Sequence, residues 1–157
     1  MMRVSQAAQA LGAQYTGGDV EFTAVSTDSR AIKRGDLFVA LRGERFDGHA
    51  FVAQAATAGA AAAIVEDSGF RIRDSEAALP LIVVENTLLA FGRLAQYWRR
   101  KFTMPLVALT GSNGKTTVRE MLALVLREAV AAESRILNPE SCVLATRGNL
   151  NNHIGVP

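Results

Sequence analysis

One run of residues constrains this chain more than any other: Thr110-Gly111-Ser112-Asn113-Gly114-Lys115-Thr116-Thr117. It stands between the apolar segment 106–109 and a stretch with Val118, Met121, Leu122, Val125 and Ala129 at helical spacing. Strand, glycine loop, Lys-Thr and helix, in that order, is the context a phosphate-binding loop requires. Gly111 and Gly114 allow a tight turn that points backbone N–H groups inward. The helix N-terminus adds positive potential where phosphates would lie. Lys115 is placed to reach the outer phosphates, Thr116 to offer a hydroxyl to Mg²⁺, and Thr117 to add a further hydroxyl. The loop departs from the common form G-x-x-x-x-G-K-[ST]: Leu109 occupies the place of the first glycine, and the run reads G-x-x-G-K-T-T.

A strand–loop–helix unit needs a sheet, and the rest of the chain supplies the pattern for one. Strands are expected at 22–25, 36–41, 61–65 and 81–84. Helices are expected from Ser5 to Ala10 with Gly12 as C-cap, and from the N-cap Asp47 to about Ala58 with Gly59 as stop. A third starts at Asn86 or Thr87, carries Leu88, Phe91, Ala95 and Trp98 at helical spacing, and ends in Arg99-Arg100-Lys101 before Pro105. Alternation of this kind implies βαβ units and an at least partly parallel sheet. After the loop helix the pattern weakens from Val130, Asn138-Pro139 signals a turn, and residues 142–145 read as a further strand.

Composition narrows the class. At 157 residues, 49% hydrophobic and 20% charged, the chain suits one to one and a half soluble globular domains. Its apolar runs are too short to span a bilayer, and Arg3 is followed by no apolar h-region, so neither membrane insertion nor a secretory signal is expected. Cys142 is the single cysteine, which excludes a disulfide scaffold. A net charge of +2 argues against a nucleic-acid partner, and a helix C-terminus accounts for the one basic run. A cytoplasmic protein is expected.

Three polar constellations stand outside this structural logic. Ser26-Thr27-Asp28-Ser29-Arg30 follows a strand, with hydroxyls and a carboxylate suited to a polar ring or sugar and an arginine suited to a phosphate. Arg42-Gly43-Glu44-Arg45-Phe46-Asp47-Gly48-His49 follows another strand and opens a helix, at the strand end where open α/β sheets bind ligands. Gly148-Asn149-Leu150-Asn151-Asn152-His153 is rich in amides, which donate and accept without charge. Ordinary roles compete with each: Asp28 as a turn residue, Asp47 as an N-cap, Arg45 as a solvated charge, His49 as a structural histidine and the asparagines as a surface loop.

Taken together and in order, these motifs resemble the Mur ligase family, the ATP-dependent amide ligases of bacterial cell-wall synthesis. The loop 110–117 is similar to the family's short phosphate loop. Ser26 to Arg30, with Lys33-Arg34-Gly35-Asp36-Leu37-Phe38-Val39-Ala40-Leu41, resembles the uridine-nucleotide domain of the late-acting members. Phe46-Asp47-Gly48-His49-Ala50-Phe51 and Gly148-Asn149-Leu150-Asn151-Asn152 with Ile154-Gly155-Val156-Pro157 resemble the last-acting member.

The resemblance implies a small α/β uridine-nucleotide-binding domain, residues 1–104, followed by the first β–loop–α unit of a P-loop ATPase domain, residues 105–157. It implies ATP and Mg²⁺ as cofactors, UDP-N-acetylmuramoyl-tripeptide and D-alanyl-D-alanine as substrates, and a monomer. Gly111, Ser112, Asn113, Gly114, Lys115, Thr116 and Thr117 would hold ATP, with Lys115 and Thr116 catalytic and Thr116 the metal ligand. Ser26, Thr27, Asp28, Ser29, Arg30, Arg45, Phe46, Asp47, Gly48 and His49 would line the uridine-nucleotide site, and Asn149, Asn151 and Asn152 would face the muramoyl-peptide end. Residues 105–157 are few for an ATPase sheet, so the chain by itself is expected to be inactive. A stand-alone uridine-nucleotide-binding module and the diamino-acid-adding member of the family are the alternatives.

Overall fold

Residues 2–43, 46–67, 79–134 and 143–146 are described by the computed structural model, in which the chain divides into one unit of residues 1–102 and another of residues 103–156. The first unit opens with β1 (Met2–Arg3) and α1 (Val4–Leu11), and continues with the strands β2 (Gln14–Thr16), β3 (Glu21–Phe22), β4 (Ala24–Ser26) and β5 (Asp36–Val39). A short hairpin follows, β6 (Arg42–Gly43) and β7 (Phe46–Asp47). A 3₁₀ turn, Gly48–Phe51, leads into α2 (Val52–Thr57), then β8 (Ala62–Glu66), β9 (Leu81–Val84) and α3 (Thr87–Arg99).

The main sheet has five strands in the order β2-β9-β8-β5-β4. β4, β5, β8 and β9 are mutually parallel, and β2 closes the edge antiparallel to β9. The mixed α/β architecture with a largely parallel sheet is the one the strand–helix alternation implies. β1 and β3 form a separate antiparallel pair.

Alternation along the strands sends side chains to both faces, and both are covered. Phe38, Ala40, Ala63, Val65 and Leu81 form one core with Val52 and Ala55 of α2. Leu37, Val39, Ala62, Ile64 and Ile82 point to the opposite face, where α1 and α3 lie, and are equally buried. The alanines of 53–63 let helix and strand approach closely, and Gly59, at φ +98°, makes the turn between them with its Cα hydrogens against Arg34.

Several helix ends differ from the sequence expectation for a physical reason. α1 begins at Val4, so Ser5 lies inside it; the Ser5 N–H is satisfied instead by Asp19 Oδ1 at 2.9 Å, from the turn after β2. The helix expected from Asp47 is split into the 3₁₀ turn and α2, with Asp47 accepting from the His49 N–H as cap. Asn86 caps α3 through Leu89 N–H at 2.9 Å. The buried face of α3 is Thr87, Ala90 and Leu94, one residue round from the stripe of Leu88, Phe91, Ala95 and Trp98. Small residues allow the close approach, and the larger side chains flank it.

In the second unit α4 spans Lys115–Ser134, four residues beyond the point where the apolar pattern weakens, carried by residues of good helix propensity such as Ala131 and Ala132. The expected strand at 106–109 carries no ladder, because a strand exists only by pairing, and residues 105–110 have no strand partner among the described residues. Residues 143–146 are likewise not a strand. Cys142 lies outside the described residues.

Candidate functional site

The register of the parallel strands brings their carboxyl ends to one edge of the sheet. Ser26 of β4 pairs beside Phe38 of β5, and Val39 of β5 beside Ile64 of β8, whose last residue, Glu66, pairs with Val84 of β9. The segments 26–30 and 42–49 both leave the sheet at this edge, as does the turn into α3.

The first segment is tightly bonded to itself. The Ser26 hydroxyl donates to the Asp28 carbonyl at 3.1 Å and accepts from the Asp28 N–H at 3.3 Å. Arg30 grips Asp28 in a fork, Nε to Oδ1 at 2.9 Å and Nη2 to Oδ2 at 2.8 Å, while its own N–H also donates to Oδ1. The Arg30 side-chain fork, then its backbone N–H, hold the Asp28 carboxyl down to about 2, and Asp28 in turn raises Arg30. Ser29 Oγ reaches Gln54 of α2 at 3.4 Å, and Thr27 is half-buried between these residues. Arg30 is thus presented as one arm of an exposed ion pair.

The second segment closes into a ring that the sequence does not announce. Asp47 Oδ1 accepts from the His49 N–H at 3.0 Å and lies 2.5 Å from His49 Nδ1. His49 Nε2 accepts the main-chain N–H of Glu66 at 2.8 Å. That geometry assigns the proton to Nδ1, since Nε2 must present a lone pair. Arg42 donates to Asp47 Oδ2 from Nε and Nη2, each at 3.2 Å, and its Nη1 pairs with Glu66 Oε2 at 3.3 Å. The other Glu66 oxygen accepts the Thr87 N–H at 3.1 Å and its hydroxyl at 3.2 Å. Burial acts to raise the Asp47 carboxyl, but the main-chain and side-chain hydrogen bonds from His49 and the charge of Arg42 outweigh it, and the net shift is downward.

Around this ring, Phe46 is half exposed and stacked on Phe51, centroids 5.4 Å apart and 17° between planes. Gly48 is required by space: a Cβ there would lie 2.8 Å from both Leu41 N and Leu41 O. His49 is buried at 6% exposure with both ring nitrogens engaged, so it supports the segment and does not face solvent. Glu66 is the residue sequence reasoning passed over, and Thr87 was read there only as a possible helix start. The available signal was a carboxylate closing the apolar strand Ala62–Glu66, a position that demands a buried partner.

The phosphate loop of the second unit has the geometry its residues require. Gly111 sits at φ +149° and Gly114 at φ +77°, conformations that L side chains rarely adopt. Around Gly114 nothing lies within 4 Å of a would-be Cβ, so there the demand is conformational and not steric. Val118 N–H to Gly114 carbonyl, at 2.9 Å, is the first turn of α4. Lys115 Nζ folds back to the Gly111 carbonyl at 2.5 Å, holding its ammonium over the loop. Ser112 and Asn113 span the bend between the glycines, and Thr116 and Thr117 stand in the first helical turn. Glycines with positive φ, a helix N-terminus and a returned ammonium together form a cationic, N–H-rich set that fits a polyphosphate. Among the described residues no group of three or more His, Cys, Asp and Glu side chains forms a metal cluster. The Thr116 hydroxyl fits Mg²⁺ only as one ligand among phosphate and water oxygens. Arg45, Asn149, Asn151 and Asn152 lie outside the described residues.

An α/β unit with polar loops at its strand-end edge, followed by a short phosphate loop, defines a class. Family models match in the same order: the Mur ligase family catalytic domain over residues 21–99 and the Mur ligase middle domain over residues 109–157. The chain belongs to the Mur ligase family.

Within it, the chain is 43% identical over 154 residues to the UDP-N-acetylmuramoyl-tripeptide–D-alanyl-D-alanine ligase of Escherichia coli, covering 98% of this chain and 30% of that protein. A crystal structure of MurF from Acinetobacter baumannii superposes with a TM-score of 0.77 at 37% identity, over 100% of this chain and 32% of that one. MurF from Thermotoga maritima, solved in complex with ADP, gives a TM-score of 0.57 at 34% identity, over 67% of this chain and 23% of that one. The chain therefore spans about three tenths of the length of such relatives. No helix of the described residues is long and apolar enough to cross a membrane.

Proposed function

We propose that the chain is the amino-terminal part of a cytoplasmic, monomeric ATP-dependent amide ligase of peptidoglycan precursor synthesis, which adds D-alanyl-D-alanine to UDP-N-acetylmuramoyl-tripeptide. The observation that carries this reading is the gathering of segments 26–30 and 46–49 at one strand-end edge, in a chain that also carries a phosphate loop. Residues 1–104 are the uridine-nucleotide domain in this reading, and residues 105–157 open the ATP-binding domain. Ser26, Thr27, Asp28, Ser29 and Arg30 offer hydroxyls and a fixed charge pair to the nucleotide. Phe46 offers an exposed aromatic face, and Asp47, Gly48 and His49 fix the backbone beside it; Arg45 is assigned to the same nucleotide.

Gly111 to Gly114 and Thr117 cradle phosphates through backbone and hydroxyl, Lys115 neutralises charge on the transferring phosphoryl group, and Thr116 supplies one oxygen to Mg²⁺. When bound, ATP would supply the γ-phosphoryl group to the tripeptide carboxylate, leaving as ADP, and the amine of D-alanyl-D-alanine would displace phosphate from the resulting acyl phosphate to form the amide. Asn149, Asn151 and Asn152 are assigned to the muramoyl-peptide end. The chain alone is expected to release no phosphate with both substrates present. Calorimetric titration of this chain with UDP tests the reading: saturable binding is expected, and no heat at millimolar UDP overturns it.

A further inference from the structure

The strand-end ring begins and ends on one residue. Glu66 reaches Arg42 through its carboxylate, Arg42 holds Asp47, Asp47 holds His49, and His49 accepts the main-chain N–H of Glu66. The loop so enclosed contains Phe46, Asp47, Gly48 and His49. A second carboxylate oxygen anchors Glu66 to Thr87, a fully buried residue at the start of α3. The hairpin β6–β7 is two residues a side, too short to hold its own geometry. This ring supplies the side-chain bonds that tie it to β8 and α3.

We propose that Glu66 is the positioning residue of the strand-end site: it holds the segment 46–49 in the conformation that receives the nucleotide, without touching the nucleotide. This rests on the uridine-nucleotide reading above. Removing the charge of Glu66 leaves Arg42 anchored only at Asp47, an exposed pair of little strength. The hairpin then loses its side-chain link to β8 and keeps only the main-chain bond from Glu66 N–H to His49 Nε2.

The test uses Glu66→Gln in this 157-residue chain. The amide oxygen still accepts from Thr87, whereas the amide NH₂ faces the Arg42 guanidinium, donor against donor. UDP affinity should fall about tenfold, the scale of one buried polar group deprived of its partner. Amide exchange at Gly48, His49 and Glu66 should accelerate by a similar factor. Arg42→Gln breaks the same ring from its exposed side, so the double variant should lose no more affinity than the worse single one. Asn86→Ala separates positioning from stability: it removes the cap of α3 without touching the ring, so it should lower the melting temperature and leave UDP affinity unchanged.

If wild type binds UDP and Glu66→Gln binds equally well, the inference is overturned. Additive losses in the double variant, or a loss of affinity in Asn86→Ala equal to that in Glu66→Gln, also overturn it. A wild-type chain that binds no UDP overturns the uridine reading instead. Exchange then decides the positioning role: unchanged rates at Gly48 and His49 in Glu66→Gln refute it, and faster rates confined to 46–49 and Glu66 support it.

Discussion

Gly48→Ala is the sharpest structural test of the strand-end site. An added Cβ would sit 2.8 Å from Leu41 N, 2.8 Å from Leu41 O and 2.9 Å from the Ala40 carbonyl carbon. All three are backbone atoms of the exit from β5, which cannot rotate away as a side chain can. Relief requires shifting that strand exit or the 3₁₀ turn, and either movement stretches the 2.8 Å bond from Gly48 N–H to the Leu41 carbonyl. Overpacking costs about 1–3 kcal/mol and the weakened buried hydrogen bond adds about 1 kcal/mol, so a loss of about 2–4 kcal/mol is expected. For a unit of this size each kcal/mol lowers the melting temperature by about 4–8 °C. Urea denaturation followed by Trp98 fluorescence reads the first unit directly, since Trp98 is the only tryptophan and belongs to α3. Gly43→Ala is the internal control: its Cβ would meet only Phe46 O, at 3.9 Å, an ordinary contact. A Gly48→Ala variant within about 0.5 kcal/mol of Gly43→Ala would refute the packing argument, because surface substitutions already scatter by that much.

Other outcomes follow from the same geometry. Asn86→Ala should destabilise the first unit by about 1 kcal/mol through loss of the cap on Leu89 N–H, measured by the same denaturation. Carbon-13 titration should place the Asp28 carboxyl at about 2, and Arg30→Ala should return it toward 3.8. Because the folded value is depressed, the stabilisation by this pair is present above pH 3.8 and is lost as pH falls through about 2. Lys115→Ala removes only an exposed bond to the Gly111 carbonyl, so stability should change by less than about 0.5 kcal/mol. In the full-length ligase the same substitution should abolish turnover, and near-normal turnover would refute the phosphate-loop assignment.

What the sequence revealed, and what it hid, follows the range of the interactions. Asn86 was readable as a cap because its acceptor serves an N–H three residues on. Gly59 was readable as a stop because a positive φ is a property of one residue. The cap on α1 was not, since Asp19 approaches Ser5 from fourteen residues away through a turn that only the folded sheet brings near. The apolar stripe of α3 misled by one position because periodicity marks large side chains, while the close contact is made by Thr87 and Ala90. Residues 106–109 read as a strand from composition, but pairing is supplied by other segments and composition cannot create it.

The two candidate sites divide along the same line. A phosphate loop is made of backbone N–H groups, φ angles and one lysine in consecutive order, so eight residues carry nearly all of its physics and a sequence reader sees it whole. The strand-end site is made by register. Glu66, Arg42, Asp47 and His49 meet only because β5 and β8 pair in parallel with Val39 beside Ile64, and a slip of one residue would turn Glu66 to the other face of the sheet. Asp47 and His49 were legible as an N-cap and a structural histidine, and the structure bears out both of those modest roles. Their further consequence, a hairpin held rigid at the mouth of the sheet, belongs to Glu66, a residue with no motif around it. The local motif and the non-local ring therefore call for different evidence: turnover of a single variant suffices to test Lys115, whereas the role of Glu66 also calls for amide exchange across 46–49 and the coupling between variants on two strands.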